Sequence, residues 1–114
     1  MQLREKICVP CAAGTPPLKR QEIEKLLKQL PSGWEAIEDP AAPGGTSKKI
    51  RKTFKFKNYP DTLAFVNRAA LIAQEEGHHP DMEVHWGKVV VELWTHKING
   101  LSENDFILAA KIDS

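Results

Sequence analysis

The sequence predicts an α+β fold: a four-stranded antiparallel sheet with three helices packed on one face, in the order α-β-β-α-β-β-α. Three observations carry this. Lys48 to Lys57 alternates apolar and basic residues, the period of a half-buried strand. Pro60 opens a long helical run that ends at Gly77, a residue suited to a left-handed stop. Two apolar runs, Met82 to Trp86 and Val89 to His96, are divided only by Gly87-Lys88, the spacing of a hairpin. Hairpin-linked strands make an antiparallel sheet, and the helices must bury their apolar stripes against it.

The elements follow in order. Residues 1–15 read as an N-terminal arm carrying Cys8 and Cys11 in the run Cys8-Val9-Pro10-Cys11. A redox pair wants its first cysteine at a helix N-terminus, which lowers the thiol pKa. Here Ala-Ala-Gly-Thr-Pro-Pro follows, which cannot continue as a helix. A four-cysteine zinc site needs a second pair, and the chain has no other cysteine. A half-site completed by another subunit stays open, and the plain expectation is an arm with two thiols. Leu18 to Leu30 reads as a helix, with Ile23, Leu26, Leu27 and Leu30 on one stripe. Trp34 to Ile37 is a short strand, and Asp39 to Ser47 is a loop by composition. In the next strand Ile50, Phe54 and Phe56 share one face, and Lys49, Arg51, Lys55 and Lys57 the other. On the long helix Leu63, Val66, Ala70 and Ala73 form the expected buried stripe. Asn99-Gly100 is a turn. Ser102 caps the last helix with Asp105 three residues on, and Phe106, Leu108, Ala109 and Ile112 carry its apolar face. With no repeat and no linker, residues 1–114 form a single expected domain.

Composition excludes several classes. The 114 residues are 41% hydrophobic and 27% charged, ordinary for a globular chain and unlike a disordered one. Net charge is +1, so no whole-molecule field attracts nucleic acid or a membrane. No apolar run approaches the roughly 20 residues of a membrane span. The opening run MQLREKICVPCAAG lacks the apolar stretch of a secretory signal, so a cytoplasmic location is expected.

The chemistry concentrates in Glu75-Glu76-Gly77-His78-His79-Pro80-Asp81. If Gly87-Lys88 is a two-residue turn with glycine first, the hairpin register is set. Trp86 then pairs with Val89, Val84 with Val91 and Met82 with Leu93, an apolar core face. His85 pairs with Val90, Glu83 with Glu92 and Asp81 with Trp94 on the other face. Two residues further, His79 lies opposite His96. His85 falls about 20 Å from His79 at roughly 3.3 Å per residue, which removes it from the site. Metal ligands on one element want spacings of i, i+2 or i, i+4, whereas His78 and His79 are adjacent and diverge. Histidines held in different environments instead suit general acid and base work near neutrality. The bland alternative for His-His-Pro is a polar helix exit with idle rings. A third histidine converging by register argues against it.

The same residues resemble a known family. His78-His79-Pro80, Trp86 six residues on, His96 ten further and Asp105 nine beyond that match the pterin-4a-carbinolamine dehydratases. The run Gly100-Leu101-Ser102-Glu103-Asn104-Asp105 is similar as well. The family motif usually has an acid four residues before the first histidine, where this chain has Gln74, followed by Glu75 and Glu76. The resemblance implies dehydration of a 4a-hydroxytetrahydropterin to the quinonoid dihydropterin, in recycling a pterin used by an aromatic amino-acid hydroxylase. It implies His78, His79 and His96 as catalytic residues, with Pro80, Thr95 and Asp105 binding substrate. It also implies a homodimer or homotetramer with neither metal nor cofactor. Asp105 has a second reading, as the acid of a capping box at a helix N-terminus. The competing class is a protein-binding or dimerisation module, since some relatives partner a transcription factor as coactivators. The basic strand face is a third surface, and its plain reading is a solvated face.

Overall fold

A computed structural model of the chain describes residues 2–10, 12, 14–38 and 47–114. Most of the expected loop (39–46) and Cys11 lie outside these residues. The chain runs through a 3₁₀ turn (Leu3–Glu5), α1 (Arg20–Leu27), β1 (Glu35–Glu38), β2 (Ser47–Lys55), α2 (Tyr59–Glu76), β3 (Asp81–His85), β4 (Lys88–Leu93), a second 3₁₀ turn (His96–Ile98) and α3 (Glu103–Ile112). The four strands form one antiparallel sheet in the order β1-β2-β4-β3. This is the α+β architecture and element order expected from the sequence.

Alternation decides which sheet face is covered. Ile50, Val89, Val91 and Leu93 are fully buried on the helix side. The opposite face carries Arg51, Glu92 and Asp81 in one row across three strands. Phe106, Leu108, Ala109 and Ile112 of α3 are fully buried against that core, and so is nearly every other residue of the helix. Leu3 from the arm joins the same core cluster.

Two sequence expectations shift. On α2 the buried residues are Thr62, Phe65, Ala69 and Ala73, while Leu63 and Ala70 face out. The helix is rotated by about one residue because Phe65 stacks on Phe54 and Phe56, at centroid distances of 4.5 and 5.3 Å. Thr62 Oγ1 also reaches the Trp86 carbonyl at 2.9 Å, tying the helix start to the hairpin turn. Two apolar stripes run along this helix, and only packing chooses between them.

The hairpin register also differs. The turn residues are Trp86-Gly87, with His85 opposite Lys88, Val84 opposite Val89, Met82 opposite Val91 and Asp81 opposite Glu92. Every pairing is two residues away from the expected one. A shift of two keeps each side chain on its face, so alternation alone cannot detect it. Gly87 is needed for close approach: its carbonyl accepts the Phe56 N–H at 2.8 Å. A Cβ there would come within 3.0 Å of the Phe56 carbonyl. Continuing the register places Trp94, and not His96, opposite His79. Because β3 is an edge strand, Val84 and Trp86 are 45% and 67% exposed and do not belong to the core.

Candidate active site

Gly77 adopts φ 66° and ψ 24°, the left-handed stop that the sequence called for. The His78 N–H returns to the Ala73 carbonyl at 3.2 Å and locks this helix exit. His78 and His79 therefore leave α2 on a fixed backbone and diverge, as adjacent residues must.

His78 turns inward. Its Nε2 lies 2.6 Å from Asp105 Oδ1, with the histidine side chain 14% exposed and the aspartate 0%. The other carboxylate oxygen accepts the Ser102 N–H and the Thr95 hydroxyl, both at 2.9 Å. Thr95 spends its only proton on Asp105, so Ser102 Oγ, 2.8 Å away, donates to Thr95. Asp105 thus completes the capping box of α3 and anchors His78 with the same carboxylate. Both readings of Asp105 hold at once. With Asp105 as the acceptor the ring proton sits on Nε2, and among the described residues Nδ1 has no hydrogen-bond partner.

His79 turns outward. Its Nε2 lies 3.0 Å from Gln74 Oε1, and the ring is exposed. Gln74 itself therefore holds His79. Glu76 points elsewhere, accepting the Cys8 N–H at 2.9 Å and lying 3.8 Å from Lys111 Nζ. His96 opens the second 3₁₀ turn and stacks on Trp94 at 3.9 Å, with 22° between the rings. Trp94 Nε1 donates to Asp81 Oδ2 at 3.4 Å, and Lys48 Nζ sits 4.4 Å from the Trp94 ring centre. Thr95 pairs with Gly100 across the intervening turn, where Asn99 has φ 53°.

One cavity of about 630 Å³ joins these parts; His78, His79, Pro80, Thr95 and His96 all line it. Asp105 does not, because it lies buried behind the His78 ring. His85 is likewise absent from the lining, pairing instead with Glu83 at 3.6 Å. The sequence reading gave no settled site role to Trp94, Asp81, Lys97, Glu76, Asn104 or the arm residues Cys8, Val9 and Pro10, which also line the cavity. Trp94 and Asp81 already shared a face in the expected hairpin, a usable signal. Nothing in the sequence ties residue 9 to residue 104.

Burial, the Glu76 charge and the Glu76 hydrogen bond push the Cys8 thiol up to about 12, so it stays a neutral thiol near neutral pH. Among the described residues no cluster of three or more His, Cys, Asp or Glu side chains is disposed to hold a metal ion. Among the same residues, no helix is long and apolar enough to cross a membrane. The arrangement offers instead three imidazoles with different partners around one cavity.

Comparisons with known proteins point the same way. The family model described as "Pterin 4 alpha carbinolamine dehydratase" matches residues 16–114. A Rickettsia canadensis protein provisionally described as a pterin-4-alpha-carbinolamine dehydratase is 49% identical over 112 residues, which is 98% of this chain and 95% of the relative. A Nitrosomonas europaea protein with the same provisional description is 50% identical over 111 residues, 97% of this chain and 90% of the relative. The crystal structure of a transcriptional coactivator/pterin dehydratase from Brucella melitensis is similar at TM-score 0.72 and 32% identity, covering 84% of this chain and 94% of that one.

Proposed function

The chain belongs to the pterin-4a-carbinolamine dehydratase family, and we propose that it dehydrates a 4a-hydroxytetrahydropterin to the quinonoid dihydropterin and water. The observation that carries this reading is the cavity bounded by His78, backed by buried Asp105, and by His96, stacked on Trp94. The reaction breaks the C4a–O bond. The leaving oxygen takes a proton, N5 loses one, and the N5 electron pair forms the new double bond. Nothing is oxidised or reduced, so acid–base groups are sufficient.

The tautomer supports the roles. Asp105 holds the proton of His78 on Nε2, which leaves the Nδ1 lone pair as the base for the N5 proton. His96 donates to the 4a-hydroxyl oxygen. His79 is exposed and tethered to a neutral amide, which suits binding and orienting the pterin. On the sequence alone, proton transfer falls to His79 and His96, with His78 binding or orienting the pterin or sharing that work; the buried carboxylate on His78 supports the present assignment instead. Pro80 and Thr95 shape the wall, and Asp105 acts through His78 as a positioning residue. Each proton transfer is worth roughly 10²–10⁴ in rate. Single alanine variants should lose kcat by that order at His78 and His96, and mainly raise KM at His79. Near-wild-type rates in all three would sink the reading.

A homo-oligomer also fits. The outer edge of β3, unpaired among the described residues, carries exposed Val84, the adjoining turn exposes Trp86, and α2 exposes Leu71 at 66%. Exposed apolar side chains on an outer strand suit pairing with a second copy of the chain. Light scattering of Trp86→Lys against the parent chain would test this, with a shift to a smaller species expected. The recycling of a hydroxylase's pterin and a cytoplasmic location belong to the same proposal. A coactivator-type role draws on the family resemblance and the Brucella structure's description, and no feature of this geometry favours it.

A further inference from the structure

We propose that Cys8, Val9 and Pro10 of the N-terminal arm form a substrate-facing wall of this cavity, fixed there by Asn104, and that this wall selects among pterins by the substituent on C6. The proposal rests on the dehydratase reading and deepens it. The family match begins at residue 16, so the arm lies outside it. Even so, Cys8, Val9 and Pro10 line the same cavity as the three histidines.

The arm is built as a wall. Asn104 is 6% exposed. Its Oδ1 accepts the Val9 N–H at 3.0 Å, and its Nδ2 donates to the Val9 carbonyl. One side chain thus satisfies both backbone groups of one residue, as a neighbouring strand would. Glu76 accepts the preceding N–H, from Cys8, at 2.9 Å. Lys6 pairs with Glu103 at 2.9 Å, and Leu3 is buried in the core at 3% exposure. The segment is therefore tied at Leu3, at Lys6 and at Cys8–Val9. Val9 itself is 64% exposed, an apolar side chain in the cavity wall without protein cover. Cys8, kept neutral beside Glu76, adds to the same surface.

The chain of contacts locates the wall. Asn104 precedes Asp105, which holds His78, and Glu76 lies two residues before His78. The arm therefore abuts the His78 side of the cavity. In the reaction N5 must come within hydrogen-bond reach of His78. C6 is bonded to N5, so its substituent leaves the ring on that side and meets Val9. Val9 and Cys8 offer it an apolar face. A short substituent fits against this wall, and a longer or bulkier one is limited by it.

The test uses the full chain with Val9→Trp and Asn104→Asp, and two 4a-hydroxytetrahydropterins, one with a 6-methyl group and one with a 6-dihydroxypropyl group. Val9→Trp should raise KM for the longer substrate about tenfold more than for the methyl one, with kcat changed less than about twofold. Asn104→Asp loses the donor to the Val9 carbonyl. It should free the arm, seen as roughly tenfold faster amide exchange at Cys8 and Val9, with KM raised for both substrates. An unchanged KM ratio in Val9→Trp, or faster exchange without any change in KM in Asn104→Asp, overturns the proposal. Wild-type turnover is measured first. If it is absent, the dehydratase reading falls, and the arm is judged by the same ratio taken from fluorescence-quenching Kd values for 6-methylpterin and 6-dihydroxypropylpterin. Binding of neither pterin overturns both.

Discussion

Replacing Asp105 with Asn is the sharpest perturbation of this site. The change keeps the shape and alters only donors and acceptors. Three donors converge on the carboxylate: His78 Nε2–H at 2.6 Å, and the Thr95 hydroxyl and Ser102 N–H at 2.9 Å. An amide has one acceptor oxygen, which best serves the two donors on the Thr95–Ser102 side. The NH₂ group then faces His78 Nε2, and two donors cannot share a hydrogen bond. The imidazole must move its proton to Nδ1, so the cavity receives N–H where a lone pair was. On the proposed mechanism the base is lost while the fold is retained. The expected fall in kcat is about 10²–10⁴, the order of one misplaced proton transfer. Losing a charge-assisted bond to a buried group costs about 1–3 kcal/mol. For a domain of this size that lowers Tm by about 4 °C per kcal/mol. The assay is stopped-flow decay of a 4a-hydroxytetrahydropterin, paired with nitrogen-15 NMR of His78 to read which ring nitrogen carries the proton. A kcat within twofold of wild type, or an Nε2–H tautomer persisting in a slow variant, would refute the reasoning.

Other consequences follow from single features. Gly77→Ala meets no steric obstacle, because nothing lies within 4 Å of a Cβ there, so only the φ of 66° is penalised. The loss should be about 1 kcal/mol in urea unfolding, with a KM change reporting any tilt of His78 and His79. Burial alone would raise the Glu92 carboxyl, but hydrogen bonds and charge from Arg51 and Lys49 outweigh it and hold the group below its ordinary range. A depressed folded-state pKa means stability present above the ordinary carboxylate pKa and lost as pH falls through the folded value. Glu92→Gln should therefore be less stable than the parent near neutrality, and the gap should close on acidification in thermal melts. Cys8, raised to about 12 from 9.0, contributes stability below its unfolded pKa that is lost as pH climbs toward the folded one. Peptide mapping after iodoacetamide at mildly alkaline pH should find it slowly labelled in the native chain and quickly labelled in urea.

Local patterns made much of the fold legible. The alternation of Lys48 to Lys57, the Gly77 stop and the Ser102–Asp105 cap each act within a few residues, so the chain encodes them directly. His78, His79 and His96 stood out by residue type and spacing. Two features were misread where the sequence offers two equal answers. The α2 helix carries two apolar stripes, and the aromatic packing of Phe65 on Phe54 and Phe56 chose one. The hairpin tolerates a slip of two residues without moving any side chain to the wrong face, and the fit of Gly87 against the Phe56 backbone chose the register.

The sequence by itself thus determined which elements form, which faces of the sheet are apolar, and which side chains can carry acid–base chemistry. Tertiary structure decided how those side chains differ from one another. Asp105 could have been a helix cap and nothing more until α3 packed against the exit of α2 and brought its carboxylate to His78. Asn104 was an ordinary polar residue in a first helical turn until the arm crossed it. Residues 27 and 95 positions apart meet in these two contacts. Such pairings are set by the packing of whole elements, which no local pattern records.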